Sequence, residues 1–207
     1  MTTFLSMAPL HTVFSGRNGR PGPRALNDPH ELHRSVMHMF GHVGGKHPRA
    51  DAGIIFRVEP AAPGSPAALL IRSAQKPVGR VDGMAVREEG EAPAAGTPVA
   101  FRLAANAVRR KKDGGVSPVP RDDAPVEGFD SMTDWVTNKF AGALHDVELI
   151  NHDRNVLGVR SGRTVQTDLV DGFAVVSDPA QLAALMAAGV GRAKNYGCGL
   201  LTVKAIG

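Results

Sequence analysis

The chain of 207 residues has one cysteine, Cys198, so it can form no intrachain disulfide and no cysteine zinc cluster. A lone thiol fits a reducing compartment, and the cytoplasm is the expected address. Aromatic residues make up only 5%, with one tryptophan and one tyrosine, which argues against extensive stacking on single-stranded bases. No stretch approaches the ~18 consecutive apolar residues of a membrane span, and the N-terminus shows no charged leader ahead of a cleavable apolar core. A soluble protein with no membrane partner is therefore expected. A Gly-Lys-Ser/Thr sequence is also missing, which excludes a Walker phosphate loop. The net charge of +4 permits a phosphate-rich partner without requiring one.

The chain is long enough for two small domains. Phe4 to Val13 is β-compatible, and a Gly/Pro-rich run from Gly16 to Pro23 follows it. Asn27-Asp28-Pro29 opens a helix whose apolar stripe is Leu32, Val36, Met39 and Phe40, and Gly41 ends it. Residues 54–58 and 68–71 are short apolar runs across a turn-rich segment and read as a hairpin. From Val78 to Pro98 the sequence is acidic and rich in Ala, Pro and Gly, with no clear period and at best a weak second helix. The second half begins with a strand over 99–108 and a basic, glycine-rich loop. It continues with a helix over 132–144, strands over 147–159 and 164–176, a helix after Asp178, and a strand over 200–206. The order β, α, β, β, α, β is the ferredoxin-like unit. The expected class is thus α+β, with tandem ferredoxin-like (RRM-like) domains, the first abbreviated, over residues 1–96 and 97–207.

Near the C-terminus, Gly189-Val190-Gly191-Arg192-Ala193-Lys194-Asn195-Tyr196-Gly197-Cys198-Gly199 runs into the apolar Leu200-Leu201-Thr202-Val203. A helix precedes this loop and a strand follows it, the reverse of a dinucleotide-binding turn. Glycines interleaved with Arg192 and Lys194 suit backbone that approaches a phosphate, although pattern alone favours a glycine-terminated helix and a turn. On the first helix, His30 and His33 are one turn apart and Arg34 is one turn on from His30, all beside the apolar stripe.

The loop Gly189 to Val203 resembles the C-terminal glycine loop of the CRISPR repeat-processing endoribonuclease family CasE, a subunit of the type I-E Cascade complex. Asp28-Pro29-His30-Glu31-Leu32-His33-Arg34-Ser35-Val36 resembles that family's first helix, and Phe101 to Arg110 resembles its central strand. The three stretches keep the family's order and spacing from end to end of the chain. The resemblance implies the same tandem fold, and His33 at the catalytic histidine position. It also implies an active site between the first helix and the glycine loop. Where the family often has a tyrosine, this chain has His30. Histidine can exchange protons, but its titration near neutral pH would reshape the pH profile set by a tyrosine of pKa about 10.

Cutting RNA without a metal needs a base for the 2′-hydroxyl, an acid for the leaving oxygen and positive charge for the phosphorane. The catalytic candidates are His33, His30 and Arg34, with Lys194 as a further source of charge. The RNA-binding candidates are Arg109, Arg110 and Lys111 after the central strand, Arg160 and Arg163 at the expected hairpin tip, and Gly191, Arg192, Lys194 and Gly197 in the loop. Arg154 belongs with the hairpin set. A basic ribbon can grip the phosphates of an A-form stem and read its shape. Five histidines lie between His30 and His47, but His33 comes one residue too early for the metalloprotease spacing, and no metal or other cofactor is expected.

The resemblance implies that the CRISPR precursor transcript is cut within its repeat hairpin, and that the crRNA product stays bound among the other Cascade subunits. Alternatives are a non-catalytic subunit that binds the crRNA hairpin and a metal-dependent hydrolase built on the histidine cluster.

Overall fold

Two four-stranded antiparallel sheets carry the chain, and both have the same strand order. The computed structural model describes residues 2–207 apart from 17–19, 80, 112–113 and 160–163. In the first half, β1 (Phe4–Pro9) is followed by a helical turn α1 (Leu10–Val13), α2 (Pro29–His38), a second turn α3 (Pro48–Asp51), and β2 (Ile55–Glu59), β3 (Ala68–Ser73) and β4 (Ala85–Glu88). The second half runs β5 (Pro98–Ala105), β6 (Val108–Arg110), β7 (Val116–Pro118), α4 (Met132–Phe140), β8 (Leu144–Leu157), β9 (Val165–Val176), α5 (Pro179–Ala188) and β10 (Leu201–Ala205).

The sheets are ordered β2-β3-β1-β4 and β10-β5-β9-β8. Counted within each half, the strand that opens the half lies between the third and the last, which is the ferredoxin-like arrangement. Among the described residues, the first unit shows no second helix between β3 and β4, as the aperiodic Ala/Pro/Gly-rich composition of that segment allows.

Each sheet buries one face under its helices. Leu32, Val36, Met39 and Phe40 pack with Phe56, Leu69 and Ile71 in the first core, while Val136, Phe140 and Leu182 pack with Val99, Leu103 and Val170 in the second. The ring of Phe101 meets that of Phe140 edge-on with centroids 5.1 Å apart. Helix α2 starts where it does because the Asp28 carboxylate accepts from the backbone N–H of His30 at 2.8 Å and Glu31 at 3.2 Å, with Pro29 in the first turn.

Two buried arginines join the halves. Arg57 of β2 donates to the carbonyls of Arg102 and Leu200 at 2.8 and 3.1 Å, to the Thr202 hydroxyl at 2.8 Å, and to Glu59 at 2.6 Å. Arg72 of β3 forks onto Glu89 at 2.6 and 2.5 Å and donates to the Met186 carbonyl at 2.9 Å. These joints hold α2 and the glycine loop in a fixed relation.

Some element bounds differ from expectation. The first strand stops at Pro9, because Leu10 and Val13 bury together one helical turn apart instead of alternating. The basic stretch after the central strand forms the antiparallel ribbon β6-β7, with Arg109 opposite Ser117. The helix expected to reach residue 144 ends at Phe140, and Leu144 opens β8.

Candidate active site

Helix α2 turns Leu32 and Val36 into the core and leaves His33 half-buried at the edge of that stripe, with His30 exposed. His33 lines a cleft of about 550 Å³ with Lys46, His47, Arg49 and Asn195. Burial pushes the His33 imidazole below its ordinary range. The positive charge of Arg49, and to a smaller extent His30, acts in the same direction, while a hydrogen bond with the Asn195 backbone opposes both. The Nδ1 of His33 is buried with no hydrogen-bond partner. The result is an imidazole that stays neutral near neutral pH and so can accept a proton.

Lys46 and Arg49 line the same cleft. Arg49, on the turn α3, donates to the Ile54 carbonyl at 2.6 Å, and among the described residues it pairs with no carboxylate. Lys194 donates from Nζ to the Ala188 carbonyl at 2.7 Å, and burial together with Arg49 holds its ammonium below the usual lysine range. Among the described residues neither Arg49 nor Lys194 forms an ion pair, so both charges are available to an anion.

The glycine loop completes the arrangement from the C-terminal half. Val190 donates to the Gly199 carbonyl at 2.9 Å and Gly199 to the Ala104 carbonyl at 2.6 Å, so the loop is pinned to the end of β5. Ala193 at φ 55° and Gly197 at φ 87° flank a 3-10 turn over Lys194–Tyr196. A Cβ at Gly189 would stand 2.6 Å from Ile55 Cδ1 and 3.1 Å from the Gly199 carbonyl oxygen, which adds crowding to the cost of its positive φ. Gly197 is buried and Gly191 partly so, and each has a positive φ, which gives both a conformational reason to be glycine. Cys198 is buried too, its thiol pushed up to about 12 by burial and the charge of Asp168, and is no nucleophile.

His30 meets the ring of Tyr196 edge-on, with centroids 5.5 Å apart. The structure thus brings His33, His30 and the Lys194–Tyr196 turn together. Arg34 faces elsewhere: it forms an ion pair with Glu31 and lines a separate cleft with Arg20 and His38. Arg49, Asn195 and Tyr196 had no role in the sequence reading. Arg49 sits on a four-residue turn too short to show a period, so only its place between Pro48 and the apolar run at Ile54 could have drawn notice.

Among the other candidates, Arg192, Arg110 and Lys111 are exposed, while Arg109 lies over the Phe129 ring, 3.5 Å from its centroid. Arg160 and Arg163 lie outside the described residues. Arg154 is committed to the fold: it donates to buried Asp168 at 2.6 Å and to the Val119 carbonyl at 2.8 Å. Burial would raise the proton affinity of Asp168, but hydrogen bonds from His152, Gln166 and Arg154 hold it below the usual carboxylate range. Among the described residues, no group of three His, Cys, Asp or Glu side chains could hold a metal ion, and no helix is long and apolar enough to cross a membrane.

Comparison with known proteins agrees along the whole chain. The model of a family described as CRISPR associated protein matches residues 4–205. The CRISPR system Cascade subunit CasE of Escherichia coli strain K12 is 26% identical over 187 residues, covering 85% of this chain and 92% of that protein. The structure of Thermus thermophilus Cse3 bound to an RNA representing a pre-cleavage complex superposes with a TM-score of 0.76 at 21% identity, over 99% of this chain and 100% of that one. The crystal structure of the CRISPR-associated protein Cas6e from Escherichia coli K-12 superposes with a TM-score of 0.66 at 21% identity, over 99% and 100%.

Proposed function

This chain belongs to the family of CRISPR associated proteins, and from that premise we propose that it is the endoribonuclease that cuts CRISPR precursor RNA within the repeat hairpin. In this reading it keeps the crRNA product and acts in the cytoplasm; it does so as a subunit of a Cascade complex, the assembly that the name of its Escherichia coli relative gives for that protein. Residues 1–96 supply the helix that carries the chemistry, and residues 97–207 supply the glycine loop and the basic ribbon.

The observation that carries the reading is the half-buried His33, with its proton affinity lowered, in one cleft with Arg49 and next to Asn195 of the loop. Neutral His33 takes the proton of the 2′-hydroxyl, whose oxygen attacks the adjacent phosphorus. Arg49 and Lys194 balance the charge of the phosphorane. His30, whose ring meets that of Tyr196 edge-on, protonates the departing 5′-oxygen in this scheme. The P–O5′ bond breaks, giving a 2′,3′-cyclic phosphate and a free 5′-hydroxyl. No step calls for a metal.

The host's repeat RNA, incubated with the purified protein in EDTA, tests this. Cutting at one place with those two ends is expected, and His33→Ala should abolish it while RNA affinity stays within about twofold. Binding without cutting by the unaltered protein would identify a non-catalytic hairpin-binding subunit. Cutting that EDTA stops would point to metal-dependent hydrolysis.

A further inference from the structure

Helix α2 separates two cavities. His33 lines the catalytic cleft, whereas Leu32, the preceding residue and about 100° round the helix, lines a second pocket between the two halves of the molecule. This pocket has a volume of about 410 Å³, within the ~300–1,000 Å³ of small-ligand sites. Tyr196 forms part of its wall, and the same ring touches His30. The pocket and the reacting groups are therefore one aromatic ring apart.

We infer that this pocket is a subsite for one unpaired nucleobase of the RNA strand, adjacent to the phosphate that is cut, and that it favours a base with an exocyclic amino group. The inference rests on the reading of the first cleft as the place of RNA cleavage. The cations around His33 fix the path of a polyanion, and a nucleotide next to that phosphate has its base within reach of Tyr196. Leu26, Leu157 and Leu169, all partly exposed, provide apolar walls for the flat faces of a base, and the tyrosine provides an aromatic one. Polar groups suited to a base edge also line the pocket. Thr167 lines the pocket, and its hydroxyl oxygen, shielded from solvent behind that wall, has no hydrogen-bond partner. Asp153 presents a carboxylate, which repels phosphate but accepts from the amino group of cytosine, adenine or guanine. Uracil has no such group.

The test uses equilibrium binding and cleavage of the host's repeat RNA, with single abasic replacements scanned through the unpaired nucleotides beside the cut. One position should lose about tenfold in affinity, the scale of one stacked base, and its neighbours much less. Asn155→Trp, at an exposed residue lining the pocket, should lose the same factor on intact RNA and become indifferent to the abasic replacement. At the sensitive position, cytosine should outbind uracil, and the near-isosteric Thr167→Val should weaken selection among bases without unfolding the protein. An abasic scan flat to within twofold, or losses from Asn155→Trp and the abasic site that multiply, would overturn the subsite. If the unaltered protein binds but never cuts, the proposed activity fails while the affinity scan still decides the pocket.

Discussion

Arg49 presses on the titration of His33 from across their shared cleft, and no carboxylate among the described residues intervenes to cancel it. A histidine whose proton affinity is lowered in the folded state lets the unfolded chain take up the proton first as pH falls. Stability from this site is therefore intact above about 6.5, and declines as pH falls through and below that value. The same shift keeps His33 able to accept a proton in mildly acidic solution, as the proposed mechanism requires.

The acid limb of kcat/KM, which reports the free enzyme, should accordingly have its midpoint below 6.5, the ordinary imidazole value. Arg49→Gln should move that midpoint upward but only part of the way, because burial is the larger cause and remains. The rate at the plateau should fall as well, by about 10- to 100-fold, since the proposed mechanism gives Arg49 the charge that offsets the phosphorane. A profile measured on both proteins decides it; an unmoved limb would mean that Arg49 does not act on His33.

Arg72 and Glu89 offer a test of the joint between the halves. Arg72 is 1% exposed and pairs with Glu89 through two hydrogen bonds, while its remaining nitrogen reaches the Met186 carbonyl of α5. Removing one member of a buried pair strands the other charge, so Glu89→Ala should cost about 3–5 kcal/mol in denaturant unfolding. Arg72→Met combined with Glu89→Gln should recover most of that loss, because neither charge is then left buried alone.

Periodicity made the architecture legible and left the joints unread. Leu32, Val36, Met39 and Phe40 follow the helical spacing, and the element order of the second half repeats a known unit, so both cores could be anticipated. Arg57 and Arg72 were hidden because each stands inside an apolar strand, where alternation registers a gap and nothing about its partner; those partners, Arg102, Leu200, Thr202 and Met186, lie in the other half of the chain. The ribbon β6-β7 was read as a loop because its strands are three residues each. His33 and Lys194 were visible by their place in motifs. Arg49 reaches the cleft only through tertiary packing of a four-residue turn.

The glycine loop is expected to lose stability and RNA affinity for separable reasons. Gly197 is at φ 87°, where an added Cβ would meet Phe56 at 3.4 Å and Leu32 at 3.8 Å, ordinary contacts. Space is thus available, and the cost of Gly197→Ala is the left-handed backbone itself, about 1–2 kcal/mol. Lys194→Met has no such backbone penalty and removes a positive charge that lies near Arg49. Thermal unfolding should rank Gly197→Ala as the more damaging, and RNA binding extrapolated to fully folded protein should rank Lys194→Met so.

Among the described residues, the ribbon β6-β7 and the residue that follows β6 carry Arg109, Arg110 and Lys111, and these cations are not equivalent. Arg110 and Lys111 are exposed at its end, while Arg109 is fixed over Phe129 and buries its Nε without a partner. Each exposed cation that meets a phosphate should contribute roughly 0.7–0.9 to the slope of log affinity against log salt. Arg110→Ala and Lys111→Ala should therefore each lower that slope by this amount, weaken hairpin binding more than binding of an unpaired RNA of the same length, and leave thermal stability unchanged. Arg109→Ala should also destabilise the fold, by about 0.5–1 kcal/mol for the lost stack on Phe129. Phe129→Leu should reproduce the stability loss while keeping the full salt slope. Titrations of these four variants at several salt concentrations separate phosphate contact from ribbon support; a slope unchanged in both Arg110→Ala and Lys111→Ala would remove the ribbon from the RNA interface.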